Sequence, residues 1–517
     1  MTEVQTVSRR NIAFLALLLT SVSAALEPAY ARDRSARGPD YRSIAELEQA
    51  LAEGRETVRS LDAATRVRIT ALDDSGPALN AVLDLVPAPA QALPPGALHG
   101  IPVLLKANID TADGLPTHAG SLALLQHQAT EDAPLAAALR AAGANLIGKA
   151  NLSEWANFRS SRSSSGWSSI GGQTRNPHAL DRSPCGSSSG SAVAVAAGMV
   201  PAAIGTETNG SIVCPAGING VVGFKPSIGR VDMTGVIPIA SAQDIAGPFA
   251  RSVADAARVA AVMMTDAPTI ADDLAGARAS GLDGRRVGVW RKQNGGISDP
   301  RIVAVLEGAV AALGSGGATA VDPVGYEWDP AIGEASYQVL LKQFAEELPA
   351  YLNRVSDPAR GQPRTLRALI DFNNRNAAST MPWFGQELLH ETLAADRRMT
   401  AEDLATALLE GRDRLRSELT TLFDEQRLDA LLTVTNGPAW LIDPVLGDTF
   451  SVGSSSLAAI SGWPTITLPA GSVHGLPIGV SLVTRHNTDE QLMRLAAALE
   501  ARLPAAPKPS FRSTVTR

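Results

Sequence analysis

The sequence predicts an α/β fold: one large domain with a central mixed β-sheet flanked by helices. Three observations lead to it. Short apolar runs of strand length alternate with helical periodicity along most of the 517 residues, the pattern of a sheet covered by helices. Hydrophobic residues make up 45% and charged residues 19% of the chain, enough for one sizeable core. Finally, residues 185–215 set one helix and one strand-like piece between two hydroxyl-bearing glycine loops, and such a hairpin of elements returns both loops to one place.

From the N-terminal side, residues 43–72 carry leucines and alanines at three- and four-residue spacings with charges opposite, which predicts helix. A short strand is expected at 79–83, a proline-rich connector at 87–95, and a buried strand at 101–105 that ends in Lys106. Ala119-Gly120-Ser121 reads as a substrate-side turn, 132–142 as a helix, 145–148 as a strand, and Asn176-Pro177 as a turn. The serine–glycine segment 160–172 is expected to cover the site. Ala192 to Ala197 is too rich in alanine for a loop, and Gly198 stops it as a helix C-cap. A strand-like piece at 201–204 follows, then the polar loop from Gly205 to Ser211. Strands are expected at 221–226, 286–290, 430–434, 465–468 and 478–483, and a helix at 253–264. Residues 300–425 read as mostly helical, with Thr400 and Asp403 as a capping box. Residues 243–248, 436–440 and 453–456 are candidate pocket loops; in Trp383-Phe384 the aromatics are weighted toward core.

A flexible linker explains Gly186-Ser187-Ser188-Ser189-Gly190-Ser191 poorly, because linkers do not alternate with apolar helices. The better reading is a backbone-rich site whose N–H groups and hydroxyls converge on a reacting carbonyl.

These residues resemble the Gly/Ser-rich signature of the amidase signature family, whose members cleave carboxylic amides with a Ser–Ser–Lys triad. One serine of that family sits in the first Gly-Ser cluster, behind a cis peptide, and the nucleophile is the serine of a Gly-Ser-Ile triplet. Those positions match Ser187 and Ser211, which lie 24 residues apart. The family lysine follows a strand beginning Gly-Ile-Pro, which Gly100-Ile101-Pro102-Val103-Leu104-Leu105-Lys106 supplies. The similarity covers nearly everything after residue 40. It implies that Lys106, Ser187 and Ser211 are catalytic, that the backbone of Thr208, Asn209, Gly210 and Ser211 holds the oxyanion, and that no metal or organic cofactor is needed.

The chemistry is consistent with that assignment. Serine needs a base within hydrogen-bond reach, and the seven histidines lie in no triad-like context. Lysine serves if it is neutral, which requires its pKa to fall from about 10.4 to near 7, on the order of 4–5 kcal/mol of desolvation. Of the six lysines, only Lys106 is read as ending a buried strand. The expected relay passes the Ser211 proton through Ser187 to Lys106 and later back to the departing nitrogen. Two positions depart from many relatives: Ala107 stands where they carry aspartate, and Val213 where they carry arginine. Ser211-Ile212-Val213-Cys214-Pro215 is instead similar to the peptide-amidase branch, which implies small or peptide C-terminal amides as substrates.

Rival readings remain at this stage. Gly186-Ser187-Ser188-Ser189-Gly190 also fits G-x-S-x-G, which would make Ser188 an α/β-hydrolase nucleophile with His474 as base. An inactive amidase-like binding protein and an amide-transferring component of a tRNA-modifying complex are the others. The net charge of −7 gives no basic field for nucleic acid. Two cysteines exclude a disulfide framework and a multi-thiolate zinc site. Cys185 and Cys214 flank the two loops, which leaves a disulfide between them open, but two unpaired thiols are expected.

At the N-terminus, Ser8-Arg9-Arg10 precedes an apolar run at 12–26 and an A-x-A site at Ala29-Tyr30-Ala31. Residues 1–31 are therefore expected to be a cleaved export signal of twin-arginine type, giving a periplasmic or secreted enzyme without stable membrane insertion. The resemblance implies that residues 32–517 form the amidase domain, within which 300–425 is expected to shape the substrate funnel.

Overall fold

The computed structural model describes residues 38–89, 92–266, 269–292 and 296–515. The expected export signal lies outside them. Thirteen strands occur among the described residues: β1 Val82–Leu85, β2 Pro102–Lys106, β3 Asn145–Ala150, β4 Trp167–Ser168, β5 Gly172–Gln173, β6 Ala202–Glu207, β7 Val222–Lys225, β8 Ile245–Ala250, β9 Arg286–Val289, β10 Thr319–Val321, β11 Ala430–Val434, β12 Thr465–Val473 and β13 Leu476–Val483. Eleven of them form one sheet in the order β1-β3-β2-β6-β8-β7-β12-β13-β11-β9-β10, and β4 and β5 form a separate hairpin. The sheet is mixed. β3, β2 and β6 run parallel, as do β11, β9 and β10, while β6, β8, β7, β12, β13 and β11 pair antiparallel.

β2, β3, β6, β7 and β8 are buried along their whole length. That suits their near-continuous apolar sequences, since a sheet covered on both faces needs no alternation. One face packs on the helices Pro134–Ala141, Val253–Met263 and Asp489–Glu500. The other packs on Ser189–Ala196, whose eight residues are all buried. Small side chains on that helix let Gly190 press against the backbone of Asn151, where a Cβ would lie 2.6 Å from its nitrogen.

Several boundaries differ from the sequence-based expectation. The single helix expected at 43–72 is two, Ile44–Ala52 and Val58–Ile69, each begun by its own capping box at Ser43 and Thr57. Gly54 turns the chain between them at φ +69°. The first strand lies at Val82–Leu85, three residues later than expected. β12 and β13 are longer than their apolar runs because His474 and Gly475, both at positive φ, close them into a hairpin. β6 extends through Gly205-Thr206-Glu207, which composition marks as loop; its ladder with β8 overrides that preference.

Residues 300–425 are mostly helical, as expected, including the Thr400–Asp403 capping box, with β10 at the sheet edge and short connectors between the helices. The long helix Pro330–Val355 buries its apolar face with Phe158, Leu389 and Leu369 in a second core cluster. Phe384 is buried edge-to-face on Trp167, whereas Trp383 is exposed.

Candidate active site

Lys106 is the last residue of β2, and β6 is the neighbouring strand. This side-by-side arrangement puts Thr206 against the lysine: Nζ lies 2.9 Å from Thr206 Oγ1 and 3.2 Å from its carbonyl oxygen. The third contact of Nζ is Ser187 Oγ at 2.7 Å. Lys106 and Ser187 are both fully buried. Burial pushes the lysine down from its ordinary 10.5 to about 7, although the carboxylates of Asp244 and Glu207 pull the other way. A neutral amine has two N–H donors and one lone pair. Two donors for the two Thr206 oxygens leave the lone pair for the Ser187 hydroxyl.

Lys106 is not unique in ending a buried strand. Lys225 ends β7 and Lys149 is the penultimate residue of β3; both are buried, and burial lowers each to about 8. Their Nζ atoms meet backbone carbonyls, of Pro226 and Ile109. The serine hydroxyl as partner separates Lys106 from them.

Gly186–Ser187 is a cis peptide. Ser187 is held by its carbonyl, which accepts from Ser153 N–H at 3.0 Å, and the next N–H, of Ser188, donates to the Ser211 carbonyl at 3.3 Å. The two glycine loops therefore touch, as the sequence predicts. Ser211 lies beyond the end of β6 with 8% of its surface exposed, and its Oγ has no hydrogen-bond partner among the described residues. The N–H groups of Asn209, Gly210 and Ser211 also lack protein acceptors there. Gly210 sits at φ +86°, and a Cβ on it would stand 2.9 Å from Ser455 Oγ, so only glycine fits.

Two carboxylates hold this loop. Glu207 accepts from Ile212 N–H at 2.7 Å and Val213 N–H at 3.0 Å, immediately after Ser211. Asp244, which burial pushes up to about 7, accepts from the Thr208 hydroxyl and from the N–H groups of Ile239 and Ala240. Gln243 Nε2 donates to the Thr208 carbonyl, and Ser336 of the helical region donates to Gln243 Oε1. Of these, the sequence points to Gln243 and Asp244 as pocket residues but not to Glu207 and Thr206, whose composition is that of a loop.

Cys185 and Cys214 form a disulfide with Cα atoms 6.0 Å apart, contrary to the expected free thiols. They are 29 residues apart in sequence, and the return of the helix–strand hairpin upon itself brings them together. The bridge joins the residue two before Ser187 to the residue three after Ser211.

A cavity of about 160 Å³ opens beside the loops. Its lining includes Gly186, Asn209, Gly210, the two disulfide cysteines, Trp440, Asp448 and Phe450, and Trp440 packs in one cluster with the cysteines. The expected pocket loops at 436–440 and 453–456 both contribute to it. Two roomier clefts, about 480 and 440 Å³, flank the proline-rich connector, but neither has a serine in its lining. No group of three or more His, Cys, Asp or Glu placed to hold a metal exists among the described residues, and no helix there is long and apolar enough to cross a membrane.

The Ser188 alternative fails on geometry. Its hydroxyl is buried and spent on Thr206, donating to the carbonyl at 3.0 Å and accepting from the N–H at 3.2 Å. His474 is on the β12–β13 turn, beside Arg301.

This fold, with a buried lysine set against one of two touching serine loops, defines an amide-hydrolysing enzyme. The family model described as Amidase matches residues 83–493, and the chain belongs to that family. Among solved structures, the native peptide amidase of Stenotrophomonas maltophilia superposes with a TM-score of 0.82 at 40% identity, covering 91% of this chain and 98% of that one. A probable amidase of Arabidopsis thaliana is 36% identical over 437 residues, 80% of this chain and 78% of the relative. An amidase family protein from Bacillus anthracis superposes with a TM-score of 0.81 at 28% identity, covering 94% of this chain and 95% of that one.

Proposed function

We propose that the protein hydrolyses small or peptide C-terminal carboxamides, releasing ammonia, through a Ser211–Ser187–Lys106 relay. The observation that carries this is the 2.7 Å contact between Ser187 Oγ and a buried lysine whose other partners are both on Thr206. Ser211 Oγ attacks the amide carbon while its proton moves to Ser187 Oγ and the Ser187 proton moves to neutral Lys106. The unengaged N–H groups of Asn209, Gly210 and Ser211, with that of Thr208, receive the oxyanion. Collapse of the tetrahedral adduct breaks the C–N bond. The lysine proton returns through Ser187 to the leaving nitrogen, which departs as neutral ammonia. Water then attacks the acyl-enzyme by the same route, regenerating Ser211 and the acid.

The substrate class rests on the likeness to peptide amidases and on the cavity beside Ser211. The helical region 300–425 reaches the Ser211 loop through Ser336 and Gln243, and we assign it the approach funnel. Export by the N-terminal signal makes external amides the substrates, and a disulfide between the loops suits an oxidising compartment. The test is a panel of peptide amides, aliphatic amides, aryl amides and anilides, read by ammonia or amine release. Turnover of peptide amides is expected. If only bulky anilides or fatty amides react, the peptide-amide assignment is wrong.

A further inference from the structure

The helix Arg414–Gln426 and the turns before β12 and after β13 enclose a cavity of about 300 Å³, lined by Arg416, Thr420, Trp463, Arg485 and His486. Its lining has three basic side chains and no carboxylate. Asp413, the carboxylate that acts on Arg416 through space, is paired with Arg412 at 2.7 Å. Asp424 accepts from Arg485 Nη2 at 2.5 Å but is itself an exposed residue, so that pair is screened by solvent.

Most donors around this cavity are unspent. Arg416 gives Nε–H to the Ser461 carbonyl at 2.5 Å, and its Nη1 and Nη2 have no acceptor among the described residues. Arg485 lies over the Phe423 ring, 5.1 Å from its centroid, and its Nε and Nη1 likewise have no acceptor there. Trp463 is 3% exposed, yet neither its indole N–H nor the Thr420 hydroxyl has a partner among the described residues. His486 is held by donating Nε2–H to the Ile228 carbonyl at 3.0 Å. Burial lowers the pKa of Arg416, and the charge of Arg412 adds to the effect. Burial also holds His486 below its ordinary value, helped by Arg416 and Lys225. Two guanidinium groups, an indole N–H and a hydroxyl form a donor set for a tetrahedral oxyanion. A neutral ligand would leave those charges uncompensated.

Arg416 also connects this cleft to the reacting loop. The helix Ser455–Ser461 begins against that loop, with Ser455 Oγ donating to Asn209 Oδ1 at 2.7 Å, and ends at the Ser461 carbonyl that Arg416 holds. We infer that the cleft binds a phosphate-class anion, and that the bound anion fixes Arg416, tightens this helix on Asn209 and raises turnover. An ion that pairs with Arg416 in the cleft favours the state in which Ser461 is held. The cleft stands on its own contacts, whereas its effect on turnover rests on the oxyanion role proposed for the Asn209 loop.

Inorganic phosphate is titrated into the full chain by calorimetry at constant ionic strength, with acetate as the planar, singly charged comparison. One phosphate per chain is expected, with a Kd of about 1 mM or tighter, the scale of two charge-assisted pairs, and weaker binding of acetate. Arg416→Gln and Arg485→Gln should each raise that Kd about tenfold, whereas Ser211→Ala should leave it unchanged. Under the same conditions kcat on an uncharged amide should rise about twofold or more with phosphate. That rise should saturate with the calorimetric Kd and vanish in both arginine variants. The site is overturned by no binding at phosphate concentrations well above that Kd, or by binding that survives both arginine substitutions. It is also overturned by equal affinity for acetate, or by binding that is lost in Ser211→Ala and competes with substrate, which puts the anion in the catalytic loop. Binding with kcat unchanged or lowered overturns the effect on turnover. If no amide reacts at all, the proposed function has failed, and calorimetry still decides the cleft.

Discussion

The pH dependence of turnover tests the lysine assignment most directly. Lys106 is fully buried, and desolvation lowers it from 10.5 to about 7. A drop of that size corresponds to about 5 kcal/mol of differential solvation between the charged and neutral amine. The group is protonated below its pKa and useful as a base above it. The active fraction is then about one tenth at pH 6, half at pH 7 and nine tenths at pH 8. An ordinary lysine would be neutral on the order of a thousandfold less at pH 7. We expect kcat/KM for a non-ionising amide, followed by ammonia release, to rise about tenfold from pH 6 to pH 8 and then level off. Asp244, which burial holds near 7, titrates in the same window. Asp244→Asn separates the two groups: losing a negative charge that favours the ammonium moves the midpoint to lower pH, whereas a profile caused by Asp244 itself disappears. A rate that is flat from pH 6 to 9, or one still climbing tenfold per unit at pH 9, refutes the reasoning.

Other outcomes follow from the geometry. Ser211→Ala should abolish turnover, whereas Ser188→Ala should keep the chemistry and lose about 1–3 kcal/mol of stability from its buried bonds to Thr206, measured by denaturant titration; the reverse ranking of activities would restore the Ser188 mechanism. Gly210→Ala forces a Cβ onto Ser455 at positive φ and should lower kcat with the fold intact by circular dichroism. Converting both Cys185 and Cys214 to serine opens a loop with sequence separation 29, costing about 3–4 kcal/mol in the chain-entropy picture; an unchanged denaturation midpoint would contradict it. Mature protein is expected to begin near Arg32, and replacing Arg9 and Arg10 with lysine should leave it in the cytoplasm; N-terminal sequencing of exported protein that still starts at Met1 would sink the export proposal.

What can be read from the sequence is what is local. β2 is a continuous apolar run ending in Lys106, and its neighbours in the sheet merely confirm it. The two serine loops are legible because a single helix and strand connect them. Thr206 and Glu207 are hidden because Gly205-Thr206-Glu207 has the composition of a loop, and only pairing with β8 makes it strand. Lys149 and Lys225 escape notice for a similar reason: their burial comes from elements distant in sequence. The disulfide depends on the close return of both loops, which spacing alone does not measure. Asp448 gives no signal at all, since residues 441–452 have neither helical nor strand periodicity.

The change of strand direction in the sheet divides the labour of this enzyme. β2 and β6 run parallel, while β8 runs back beside β6 and pairs Ile245 with Glu207. The chain leaving β6 and the chain entering β8 therefore share one edge, where Lys106, Thr206, Asp244 and the Ser211 loop are interlocked. Trp440, Asp448 and Phe450, which also line the cavity, come from the excursion after β11, which exposes Leu441, Val445 and Leu446. One part is fixed by strand ends and carboxylates; the other is a surface excursion tied back where Asp448 accepts from Ser165 N–H and where Ser183 N–H donates to the Trp440 carbonyl. The strand-end residues and this part of the cavity lining thus come from separate stretches of the chain, joined at these ties beside the serine loops.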